Sequence, residues 1–148
     1  MFRDNDISTA IGAVEQLMRD HQHLLEILPQ KKQPERGGSF TKEGDKLRAE
    51  ALGVQFRVEQ RPVVVGEHIS KLEYAFIAQH EGKDTCVMCL YLDGDGALYT
   101  DPSAPKILCD TDNSYLATKI VGELILALLR SPVLQPRSVM GKKVDKSA

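Results

Sequence analysis

Apolar positions recur every three to four residues near both ends of the chain and every second residue between them. Over residues 7–28, Ile11, Val14, Leu17, Met18, His21, Leu24, Leu25 and Leu28 form one stripe of an amphipathic helix. Asp6, Ser8 and Thr9 offer N-caps, and Pro29 predicts the end. A second helix is predicted over about 114–130, capped by Asp112 or Asn113. It carries Leu116, Ile120, Val121, Leu124, Ile125, Leu128 and Leu129, with Leu126 and Ala127 on a further side.

Between the helices the period changes to two. Val54, Phe56 and Val58 alternate with Gln55, Arg57 and Glu59, the pattern of a strand with one wet face. Pro62 ends that strand or places it at a sheet edge, and Val63 to Val65 continue it past a bulge. Residues 69–79 set Leu72, Tyr74, Phe76 and Ala78 on one face and Lys71 and Glu73 on the other. The run at 85–92 is apolar on both faces, which predicts a central strand covered twice. Asp93-Gly94-Asp95-Gly96 then separates it from a short apolar run at 97–100, a hairpin signal. Residues 106–109 complete an antiparallel meander of four to five strands.

Two segments show no sustained period. Residues 30–52 are polar, with Pro34, Gly37 and Gly38, and read as a mobile polar loop with at most one helical turn before Gly53. Residues 131–148 contain two prolines and four basic residues, and read as a disordered basic tail. The chain is therefore expected to be a single α+β domain over 1–130. An N-terminal amphipathic helix precedes the meander, and a C-terminal apolar helix packs on the sheet.

At 148 residues the chain can bury a core without staples, and four Phe, four Tyr and no Trp make that core mostly aliphatic. The 19 basic and 21 acidic residues are unevenly placed: segments 30–50 and 131–148 hold ten basic and five acidic ones, leaving nine against sixteen. An acidic body argues against sequence-independent binding of nucleic acid, which depends on neutralising phosphates. No apolar run is long enough to span a bilayer, the N-terminus has no signal-like apolar segment, and the three cysteines are an odd number. The expected location is the cytoplasm, with reduced thiols.

Catalytic signatures are missing. There is no G-x-S-x-G elbow, no G-x-x-x-x-G-K-[ST] and no G-x-G-x-x-G. Cys86-Val87-Met88-Cys89 has the C-x-x-C spacing of zinc or redox pairs, with Cys109 and His80 as further candidate ligands. On a regular strand, however, positions i and i+3 face opposite ways. The expectation is two diverging, inert core thiols. The meander should bring Asp93, Asp95, Asp110 and Asp112 to one sheet edge, where four carboxylates could take a weakly bound divalent cation. Turn and cap chemistry accounts for the same residues. His21 lies on the first helix's apolar stripe, while His23, two residues on, cannot share its face. Gly37-Gly38-Ser39 between lysines reads as polar linker rather than as an anion loop.

A helix apolar around most of its circumference needs two burial surfaces, the sheet and either the first helix or a second copy. The sequence is thus expected to encode a protein-interaction or assembly module. It would be a homodimer through Leu116, Ile120, Val121, Leu124, Ile125, Leu128 and Leu129, with another protein as further partner and no resident cofactor. The alternative is a small ligand-binding domain or divalent-cation-dependent enzyme at the aspartate-rich edge.

Overall fold

The computed structural model describes residues 4–30, 37–66, 68–102 and 107–136. Helix α1 (Asp4–Gln30) leads into seven strands: β1 (Gly38–Glu43), β2 (Lys46–Ala51), β3 (Val54–Val65), β4 (His68–His80), β5 (Lys83–Asp93), β6 (Ala97–Tyr99) and β7 (Cys109–Asp110). Helix α2 (Leu116–Arg130) and a 3-10 turn over Pro132–Leu134 follow. Every strand pairs antiparallel with its neighbour in sequence, so the sheet is one unbroken meander. The α+β class and the order of elements agree with the hydrophobic pattern, and the sheet has more strands than the pattern predicted.

The additional strands come from the segment expected to be a loop. Its residues 38–51 form the β1–β2 hairpin, turning at Gly44, whose φ is +65°. Phe40, Leu47, Ala49 and Ala51 point into the core, while Thr41, Lys42, Glu43, Lys46 and Arg48 are exposed. Two of the four inward side chains are alanines and the outward face is largely charged, so the alternation hardly registers in hydropathy. Charge on an edge hairpin also protects an open ladder from pairing with other chains. Residues 31–36 of the expected loop lie outside the described residues.

The other departures have local causes. Helix α1 runs one residue past Pro29. Pro62 lies inside β3, at a point where β3 has a partner on one side only. Strand β2 pairs with Val54 to Arg57 and reaches no further, so a missing N–H is tolerated there. A register shift does occur, but between Val63 and Val64 rather than ahead of Val63, where the bulge was expected. The start of the expected tail is ordered by Ser131, whose hydroxyl donates to the Leu128 carbonyl and accepts from the Val133 N–H. Residues 137–148 of that tail lie outside the described residues.

One face of the sheet is buried. Phe56 and Val58 of β3, Leu72, Tyr74, Phe76 and Ala78 of β4, and Leu90 and Leu92 of β5 join both helices in one core. Helix α1 lies against β1 and β4, and α2 against β5, β1, β2 and β7. The fit under α2 is close: a Cβ on Gly38 would stand 2.7 Å from a Val121 methyl and 2.8 Å from the Glu50 carbonyl oxygen. Among the described residues no helix packs on the opposite face, so within them β5 is covered once rather than twice. Cys89 and Tyr91 are half-buried, flanked by Leu90 and Leu92, which are buried. Apolar composition alone did not distinguish the inward from the outward positions of this strand.

Candidate functional site

Helix α2 was expected to carry the interface. Of its seven candidate residues, Leu116, Ile120, Val121, Leu124 and Leu128 are buried in the chain's own core, so they offer no surface to a partner. Ile125 is half-buried against that core. Because α2 touches four strands, a wider arc of the helix is covered than a flat contact would cover. What remains open is Leu129 at 59% exposure and Leu126 at 46%, three residues apart and hence neighbours on the helix surface. Leu134, beyond the Ser131 turn, is 39% exposed.

A second apolar strip, the N-terminal part of the stripe read from the sequence, lies on α1. Among the described residues of this helix the first buried one is Leu17. The stripe that contains it continues towards the N-terminus through half-buried Val14 to Ile11 and Ile7, which are 55% and 51% exposed. Ten residues separate Ile7 from Leu17, about 15 Å of helix. The period was readable; where the sheet stops beneath it was not.

The aspartate-rich edge forms as a turn. Asp93 Oδ1 accepts from the backbone N–H groups of Asp95 and Ala97, both at 2.9 Å, and its Oδ2 accepts from the Tyr99 hydroxyl at 2.9 Å. The Thr111 N–H donates to the Gly96 carbonyl, and Ala97 pairs with Asp110, so the two segments are adjacent as expected. Their carboxylates are not gathered. Among the described residues no three Asp, Glu, His or Cys side chains converge on a metal-sized site. Asn113 Oδ1 accepts from the Tyr115 N–H just ahead of α2, and the helix has no side-chain cap at Tyr115 itself.

The cysteine pair is a correction. Cys86 is exposed, Cys89 is half-buried and their sulfurs are 3.7 Å apart. The regular-strand rule fails because β5 is not regular here. Phe76 pairs with Met88 and Ile77 with Cys86, which leaves Val87 as an extra residue in β5. That bulge reverses the alternation and turns both thiols to the open face. Burial, and then the hydrogen bond with Cys86, push the Cys89 thiol up to about 11. The surrounding face is polar. Arg61 Nε donates to Glu73 at 2.9 Å, and the Tyr91 hydroxyl donates to the same carboxylate at 3.1 Å. Arg57 binds Asp84 through both terminal nitrogens, at 3.2 and 2.7 Å, and holds its carboxyl below the ordinary range. Lys71 lies 4.8 Å from the centre of the Tyr99 ring.

His21 is buried, hydrogen-bonded to the Tyr74 hydroxyl at 2.8 Å and the Asp45 carbonyl at 2.9 Å. His23, two residues along, is exposed. His80 is half-buried, 3.7 Å from the exposed carboxylate of Glu81, beside a groove also lined by Gln79, Gly82, Val133 and Gln135. Among the described residues no helix is long and apolar enough to cross a membrane. Comparison of the chain with family models, with curated proteins and with solved structures finds no match.

Proposed function

We propose that this chain is a small cytoplasmic assembly module that works as a homodimer and, once paired, engages a further protein. One observation carries the reading: each helix leaves an apolar strip uncovered at helical spacing, Ile7 with Ile11 on α1 and Leu126 with Leu129 on α2. Contiguous exposed apolar surface of this kind marks an interface. Two different strips suit a two-fold dimer, in which the α1 strip of one copy meets the α2 strip of the other and the contact is made twice. The odd cysteine count supports the cytoplasmic placement. The alternative of a cation-dependent enzyme draws no support from the aspartate edge, because Asp93 is already occupied by its own turn.

Light scattering at micromolar concentration tests the reading. Wild type is expected at twice the chain mass. Ile11→Glu and Leu129→Glu are each expected at the monomer mass, because an unpaired charge held in such an interface costs several kcal/mol. Both positions are solvent-exposed within the chain, so folding should survive. A clean wild-type monomer would refute the proposal.

A further inference from the structure

We infer that Cys86 and Cys89 form a thiol–disulfide couple that exchanges two electrons with low-molecular-weight disulfides and thiols of the glutathione class. The bulge is what makes the pair possible. In a regular strand the two residues would be three rises apart, about 10 Å, on opposite faces. Here they pair across the ladder with Ile77 and Ala75, two residues apart on β4. The cysteine backbones are therefore separated by about two rises, roughly 6.8 Å, which is the long end of the Cα separation a disulfide accepts. The sulfurs are already 3.7 Å apart. Closing them needs a small tightening of an irregular segment and leaves the regular parts of the ladder alone.

The two thiols differ in the way an exchange couple requires. Cys86 is exposed and can meet a reagent from solution. Cys89 is half-buried behind it, and its raised pKa keeps the thiol protonated at neutral pH. Cys86 is thus the attacking group and Cys89 the resolving one. In the first step the Cys86 thiolate attacks one sulfur of a disulfide RSSR. The Cys86–SR bond forms, the S–S bond of the reagent breaks, and RS⁻ leaves and takes up the proton that Cys86 released. In the second, Cys89 gives up its proton and its sulfur attacks Cys86 Sγ. The Cys86–Cys89 bond forms and the second RS⁻ leaves with that proton. The chain loses two electrons and two protons, and RSSR becomes two RSH. The reverse sequence reopens the pair. A bond that can be reached from solution through the exposed Cys86 sulfur is open to attack by thiols, as exchangeable disulfides are.

The experiment uses the full chain, reduced and freed of reductant, then equilibrated natively with mixtures of oxidised and reduced glutathione. Acid quenching, alkylation and mass analysis follow. Wild type is expected to lose two hydrogens in mass and two alkylation sites together, with a peptide map linking Cys86 to Cys89. Excess reduced glutathione should reverse the change. Cys89→Ser is expected to stop at a stable glutathione adduct on Cys86. Cys86→Ser should react at least roughly tenfold more slowly, since the exposed thiol is gone. The wild-type result decides without relying on a variant's folding. A glutathione adduct that persists on wild-type Cys86, a native chain that does not react, or an internal bond that forms only after denaturation would each overturn the inference.

Discussion

His21 occupies a stripe position where an aliphatic side chain would ordinarily pack, and its two ring nitrogens determine how it is accommodated. The Asp45 carbonyl can only accept, so Nε2 carries the proton, and the neutral ring's Nδ1 accepts from the Tyr74 hydroxyl. Both nitrogens are satisfied while the ring is uncharged. Burial lowers the ring's pKa below its ordinary 6.5 and outweighs the Asp45 carbonyl, which acts to raise it. In the unfolded chain the ordinary value returns, so below about pH 6.5 the unfolded state takes up the proton first. Stability should therefore fall as pH drops through about 6.5 towards the lowered folded-state value, and this group's effect should level off beneath it. Urea unfolding between about pH 7 and pH 5 is expected to show a steeper loss in wild type than in His21→Gln; equal slopes would mean the ring is not held neutral. That His21 would be buried was legible from the helical stripe. Its partners were not, because they lie 24 and 53 residues away in the chain. The cysteine pair was misread for a related reason: the bulge at Val87 is a property of how β5 pairs with β4, and nothing within C-V-M-C announces it.

At the scale of elements, the meander depends on turns whose hand matches the twist of the sheet. Leu52-Gly53 joins β2 to β3 with φ of +51° and +81°, and Glu81-Gly82 joins β4 to β5 with +52° and +79°. Two left-handed central residues are the signature of a type I′ hairpin turn. Leu52 and Glu81 carry side chains in a region that costs an ordinary L-residue about 1–2 kcal/mol. Asn enters that region more readily. Glu81→Asn is therefore expected to raise stability by about 1 kcal/mol, read from the midpoint of a urea titration. The exposed contact of Glu81 with His80, at 3.7 Å, offsets little of that gain. A loss of stability would show that the carboxylate contributes more than the backbone strain costs. Such turns also explain which hairpins could be read from the chain. Asp93-Gly94-Asp95-Gly96 has turn chemistry between two clearly apolar runs and was legible. Gly44-Asp45 has similar chemistry, but the strands beside it are charged outside and half alanine inside, so its hairpin passed for a loop. The long strands β3 and β4 were legible because their inward positions hold large side chains: Phe56, Leu72, Tyr74 and Phe76.

For the whole molecule the question is whether the uncovered strips are large enough to hold two copies together. Fully burying an Ile or Leu side chain contributes roughly 1.5–3 kcal/mol, and these four are about half exposed already, so each has about half of that left to gain. Two such residues in each of two copies supply roughly 3–6 kcal/mol from one strip and about twice that from both. Association costs at least about 4 kcal/mol in lost freedom of motion, and the range of estimates extends well above that. One strip alone therefore falls near or below threshold, whereas both together can exceed it. Deleting residues 1–12 removes Ile7 and Ile11, and of the residues whose burial is described it removes none that is buried, the first being Leu17. The shortened chain is expected to keep the wild-type far-UV circular dichroism of its sheet and of α2. It should also become monomeric, and its melting temperature should lose the rise with protein concentration expected of the wild-type dimer. If the shortened chain still melts higher at higher concentration, α1 takes no part in the contact and Leu126 and Leu129 pair with their own counterparts. If wild type itself melts at one temperature across a hundredfold range of concentration, the strips are surface of a monomer and the assembly reading fails.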